Sequence, residues 1–131
     1  MKPAFFTDYN NQYSGKSEIP FKVVFGSSGA VGSTPLTRGI TSVVHGATGV
    51  YVITLDKPAV RLFSWEMPIV QASYSKTGAC KATVTAEDVA GAGTITILVT
   101  TAAGDAVEPT TSDALYGCLN LQWNSANKRA V

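Results

Sequence analysis

The sequence predicts an all-β fold: an antiparallel β-sandwich, jelly-roll-like or barrel-like, with an extended N-terminal arm. Three observations lead there. Seven or eight short runs rich in Val, Ile, Thr and aromatic residues are separated at fairly regular spacing by Gly, Pro, Asp and Ser signals. No segment of ten or more residues repeats its apolar positions with the 3.6-residue period of a helix. A chain of 131 residues has room for one hydrophobic core and not for two.

Residues 1–20 read as the arm and 21–131 as the single domain. Phe5, Phe6, Tyr9 and Tyr13, four of the twelve aromatic residues, sit among Asn, Gln, Ser and Gly with neither a strand nor a helix period. They are the candidate contact residues, packing either on the protein's own core or on a neighbouring subunit, because aromatic side chains make effective anchors. Phe21 to Phe25 is a short strand, and the glycine-rich stretch Gly26 to Thr34 reads as a flexible loop.

The runs Gly39 to His45 and Val50 to Leu55 flank Gly46-Ala47-Thr48-Gly49, the signature of a β-hairpin, and Asp56-Lys57-Pro58 ends the second strand. Val60 to Phe63 and Ile69 to Tyr74 read as strands interrupted at Pro68, which argues for an edge, a bulge or a crossing between sheets. Cys80 to Ala86 alternates small and polar residues. Thr94 to Thr100 alternates so that Ile95, Ile97 and Val99 share a core face. A loop from Ala102 to Asp113 leads into the last strand, where Leu115, Leu119, Leu121 and Trp123 share a face with Gly117.

Charged residues are only 15% of the chain, well below the roughly 25% of ordinary globular domains. Gly, Ala, Thr and Ser take their place, a mixture suited to turns, strand surfaces and close contact between chains. The net charge is +1 and no basic run exceeds the pair Lys128-Arg129, so no clustered footprint for nucleic acid exists. The N-terminus lacks the apolar stretch of a signal peptide, and no apolar window is long enough to span a membrane. Cys80 and Cys118 are too few for a disulfide scaffold and lie in different strand phases, so both are expected to remain free thiols in a reducing cytoplasm.

The sequence offers no recognisable catalytic set. His45 is the one histidine, placed in a strand beside a glycine turn, and no Gly-x-Ser-x-Gly elbow accompanies it. One histidine and two cysteines in different phases do not supply a zinc site. Gly26 to Thr34 lacks the lysine of a phosphate-binding loop, and Gly91-Ala92-Gly93 runs into a strand where a dinucleotide fingerprint would open a helix. Glu66 beside Trp65, adjacent Glu87 and Asp88, and the loop carboxylates Asp105 and Glu108 show no spacing that fixes an acid–base pair or a calcium loop. The expectation is therefore a protein that is not an enzyme and has no cofactor or metal.

Four features in order carry a resemblance: the Gly-x-Tyr-x-x-Thr-Leu strand Gly49 to Leu55, the alternating strand Thr94 to Thr100, the acidic-Pro step Glu108-Pro109, and the terminal pattern Leu-x-Leu-x-x-Asn-Ser from Leu119 to Ser125. Over about residues 40–125 the chain resembles small virion structural proteins of tailed bacteriophages, a group that includes capsid decoration, or cement, proteins. It departs from the group at Glu108, where Asp is more usual, and at Trp123, where a basic residue is more usual. The resemblance implies a coat component made in the host cytoplasm that binds the outside of the assembled head, bridges major capsid subunits and forms a homo-oligomer. The alternative is a fibre- or tail-associated sandwich that binds a host glycan or receptor, with Trp65, Tyr74 or Trp123 as stacking platforms.

Overall fold

A computed structural model describes residues 16–34 and 38–123 as two antiparallel sheets closed on one core. The strands are β1 (Lys16–Phe25), β2 (Val31–Ser33), β3 (Ile40–His45), β4 (Val50–Leu55), β5 (Arg61–Glu66), β6 (Ile69–Val70), β7 (Lys81–Asp88), β8 (Thr94–Thr100) and β9 (Ala114–Gln122). The first sheet runs β2-β1-β9-β5, with β6 also on β9, and the second runs β3-β4-β8-β7. No helix occurs among the described residues beyond a 3-10 turn at Ser27–Gly29.

The period of two fills the core. Ile19, Phe21, Val23 and Phe25 from β1 and Leu115, Leu119 and Leu121 from β9 meet Tyr51, Ile53 and Leu55 from β4 and Ile95, Ile97 and Val99 from β8, all of them buried. Each such side chain contributes about 1.5–3 kcal/mol on leaving water. Trp123, in phase with Leu121, joins this face. Gly117 faces Phe21 across the β1–β9 ladder, and a Cβ on it would lie no farther than 2.7 Å from three carbons of the Phe21 ring. The glycine is thus the seat on which that ring lies.

The hairpin joining β3 and β4 and the limits of β8 are as the sequence predicts. Three elements differ. The first strand begins at Lys16, inside the stretch read as arm, and pairs with β9 from Lys16 opposite Gln122 onward. Its outward positions Lys16, Glu18, Pro20 and Lys22 are polar or proline, so Ile19 is the one apolar residue before Phe21 and the alternation is not visible in the letters. The loop Gly26 to Thr34 contains the 3-10 turn and β2. The run Ile69 to Tyr74 keeps strand geometry only at Ile69 and Val70, after which the Gln71 side chain turns the chain by accepting the amide of Ser75 at 2.6 Å.

The outer strands are interrupted. Thr41 in β3, Phe63 in β5 and Thr85 in β7 are each one residue more than the neighbouring strand provides, the count that defines a β-bulge. Such bulges twist an edge away from pairing with a further strand.

Candidate functional site

Three loops meet at the end of the sandwich where β4 begins. The hairpin loop is fixed by Gly46 N–H to Val50 O at 2.8 Å and Val50 N–H to Ala47 O at 2.9 Å. The segment after β8 turns through Thr101 N–H to Asp105 O at 2.9 Å, and Val107 N–H then bonds back to Val99 O at 3.1 Å, which lays Glu108 beside β3 and β4. The far end of this loop is held by Asp113. Its buried carboxylate accepts the amides of Ala72 at 2.8 Å and Thr110 at 2.9 Å, and the Thr110 hydroxyl at 3.1 Å. The third loop is the 3-10 turn.

These loops bring together His45, Tyr51, Glu108 and Gly29. His45 Nε2 stands 2.8 Å from Glu108 Oε2, and both atoms are sealed from water although the side chains are a quarter to a third exposed. The His45 ring stacks on Tyr51 at 4.9 Å, and Tyr51 packs against Phe25 at 5.2 Å. The Tyr51 hydroxyl donates to the Gly29 carbonyl. Burial, and then the charge of Glu108, hold the Tyr51 phenol far above its ordinary range, so it stays a neutral donor. Gly29 has φ +75°, and a Cβ there would come within 2.8 Å of the Glu108 carboxyl carbon, so glycine is needed both for the turn and for the close approach.

This cluster ties loops together. His45 is opposed by a carboxylate and an aromatic ring, and the Tyr51 hydroxyl is committed to a backbone carbonyl. What the arrangement does physically is hold three loop tips in fixed relation: Ser27-Ser28, Gly46-Ala47-Thr48 and Ala102 to Ala106 are exposed, small and almost uncharged. No group of three His, Cys, Asp or Glu side chains that could hold a metal occurs among the described residues.

The other candidates fall elsewhere. Phe5, Phe6, Tyr9 and Tyr13 lie outside the described residues. Of the three possible stacking platforms, Trp123 is 3% exposed and donates from Nε1 to Ser17 Oγ at 2.6 Å, and Trp65 packs partly buried against the core. Tyr74 is 80% exposed. Cys80 and Cys118 are unpaired, the latter on the outward face of β9 opposite both Pro20 and Glu66. Partial burial, and then the charges of Glu18 and Glu66, push the Cys118 thiol up. Sequence reasoning noted the Glu108-Pro109 step but not its partner, because His45 and Glu108 are brought together by the return of a loop over β8 and not by any periodic spacing.

No family model matches the chain, and neither a curated protein nor a solved structure matches it.

Proposed function

We propose that this chain is a non-enzymatic decoration protein of a tailed-bacteriophage head, binding the outside of the assembled capsid and bridging major capsid subunits so that the shell resists internal pressure. The observation that carries the reading is the loop end of the sandwich. Three small tips, charged only at Asp105, are held by backbone hydrogen bonds and by the His45–Glu108 pair, so little further ordering is needed when they meet a repeated surface. The segments behind the resemblance support it as well. Gly49 to Leu55 and Thr94 to Thr100 are the paired central strands of the second sheet, and Glu108-Pro109 lies in one of the three loops. The partners that follow are the major capsid protein and sister copies of this chain, with assembly in the host cytoplasm.

An averaged map of the particle tests this. Copies spread over the icosahedral lattice, with the loop end toward the capsid, are the expected result. Density confined to a tail or fibre overturns it in favour of a receptor-binding sandwich, for which Tyr74 is the exposed platform.

A further inference from the structure

The two sheets end together on one side of the sandwich, at β5 in the first and at β7 in the second. Two contacts fix how these edge strands lie. Pro68, just past β5, bridges to Lys81 at the start of β7, and Ala59 N–H, just before β5, bonds at 2.8 Å to Val89 O, just past β7. The strands therefore run in opposite directions along the edge, with Glu66 and Lys81 at one end and Arg61 and Asp88 at the other. All four side chains are exposed. Their register puts them on the outer rims. Arg61 and Glu66 pair with Gln122 and Cys118 on the outward face of the first sheet, and Lys81 and Asp88 pair with Thr100 and Thr94 on that of the second. Around the edge the charges thus alternate: Arg61 positive, Glu66 negative, Lys81 positive, Asp88 negative. Among the described residues none of the four takes part in an ion pair.

Between these corners β5 is bulky and β7 is small. Leu62 and Trp65 are partly buried against the core, and the Arg61 guanidinium lies over the Phe63 ring at 5.9 Å. From Ala82 to Ala86, β7 has only Ala, Thr and Val, and Glu87 beside Asp88 adds to the negative charge of that corner. The bulges at Phe63 and Thr85 discourage addition of a further strand, so whatever meets this edge meets it through side chains. A second copy fits under two-fold symmetry. An axis parallel to the strands, lying between two facing copies, sets β5 of each on β7 of the other and keeps the ends in register. Glu66 then faces the partner's Lys81, Arg61 faces the partner's Asp88, and bulky side chains meet small ones. An axis across the strands would also match the charges, but it would set bulky on bulky and small on small. The first arrangement satisfies both charge and shape. The eight residues of β7 span about 27 Å and the sheets are about 10 Å apart. The contact is therefore smaller than a standard interface, and the pair is a weak one that forms at high local concentration.

We propose that the β5–β7 edge is a self-complementary contact with a second copy of this chain, in which β5 of each copy packs on β7 of the other. This gives a surface to the contact between sister copies and rests on that part of the functional reading. The experiment uses the free protein, so its failure leaves attachment to a capsid to be judged by the particle map. Sedimentation at up to about 1 mM protein and at low salt, where surface charges act most strongly, should show a reversible monomer–dimer equilibrium. Glu66→Lys and Lys81→Glu each set like charges opposite one another at two corners. Each alone should weaken self-association by about fivefold or more while leaving the circular dichroism spectrum unchanged. An equimolar mixture of the two variants should dimerise as the unaltered chain does, because each altered corner then meets its complement. A chain that stays monomeric over the whole range, or charge reversals that leave self-association unchanged, would overturn the proposal. So would a mixture as weak as its components, because the charges would then act without β5 lying on β7.

Discussion

Replacing Gly117 by alanine tests the packing of the first sheet at its tightest point. The added Cβ would stand no farther than 2.7 Å from Cζ, Cε1 and Cε2 of Phe21, where carbon atoms in contact keep about 3.5 Å or more. Phe21 is 5% exposed, so its ring has no open space to enter, and β9 is bound to β1 on one side and to β5 and β6 on the other, so its backbone resists shifting. Overpacking of this kind costs about 1–3 kcal/mol. A loss of about 2 kcal/mol in a domain of this size lowers Tm by roughly 8 °C. Urea unfolding gives the first number, and thermal unfolding by circular dichroism gives the second. The same substitution made in a Phe21→Leu background should cost at least 1 kcal/mol less than it does alone, since the shorter side chain vacates the ring position. A G117A protein with unchanged Tm, or a cost that is the same in both backgrounds, would refute the assignment of Gly117 as the seat of the ring.

His45→Ala or Glu108→Gln should destabilise the fold by about 1 kcal/mol, less than for a fully buried pair because both side chains are partly exposed; hydrogen exchange should speed up at Val107 and the hairpin loop and remain slow in β9. The phenol of Tyr51 is held above its ordinary range in the fold, so its contribution to stability is complete below about pH 10 and is lost as pH rises beyond that point, at up to about 1.4 kcal/mol per pH unit. Urea midpoints measured between pH 9 and 11 should fall less steeply for Tyr51→Phe than for the unaltered protein, and equal slopes would contradict the placement of that hydroxyl. Titration of unfolded, unreduced protein should find two thiols per chain. In the folded protein Cys118 should alkylate more slowly at pH 8 than after Glu18→Gln and Glu66→Gln together, a difference that vanishes if those carboxylates do not raise its pKa.

The sandwich was readable where a strand is apolar on one face and small or polar on the other. Thr94 to Thr100 shows this best, since its alternating isoleucines and valine define both the limits of β8 and its inward face. The start of β1 was unreadable for the opposite reason: Lys16, Glu18 and Pro20 point outward, Ser17 lies inward beneath Trp123, and only Ile19 marks the core. The run after Pro68 misled because Ile69 and Val70 do pair with β9, but beyond them the chain is governed by Gln71 and Ser75, and that side-chain hydrogen bond has no hydrophobic signature. Gly117 was visible as a member of the apolar face. That it serves Phe21 follows only from the register that sets β1 against β9.

The loop end was the least legible part, and its physics explains why. His45 and Glu108 lie on segments whose mutual position depends on two backbone contacts, Val107 N–H to Val99 O and Val99 N–H to Gly49 O, and neither contact involves a side chain that a sequence could advertise. The residues that would be exposed to a partner, Ser27, Ser28, Ala47, Thr48, Ala102 and Ala103, are small enough to satisfy a turn equally well. Contact and turn therefore use the same alphabet at this end. Rigidity serves both roles: a loop that only connects strands gains stability from a carboxylate sealed against an imidazole at 2.8 Å and from a phenol bonded to a glycine carbonyl, and a surface that must meet the same partner many times gains in addition from having its tips ordered beforehand. Loosening the cluster by Glu108→Gln while leaving every exposed tip residue in place separates the two roles. If the tips form the contact, attachment should weaken through a faster off-rate; if they only connect strands, stability should fall and attachment should not change.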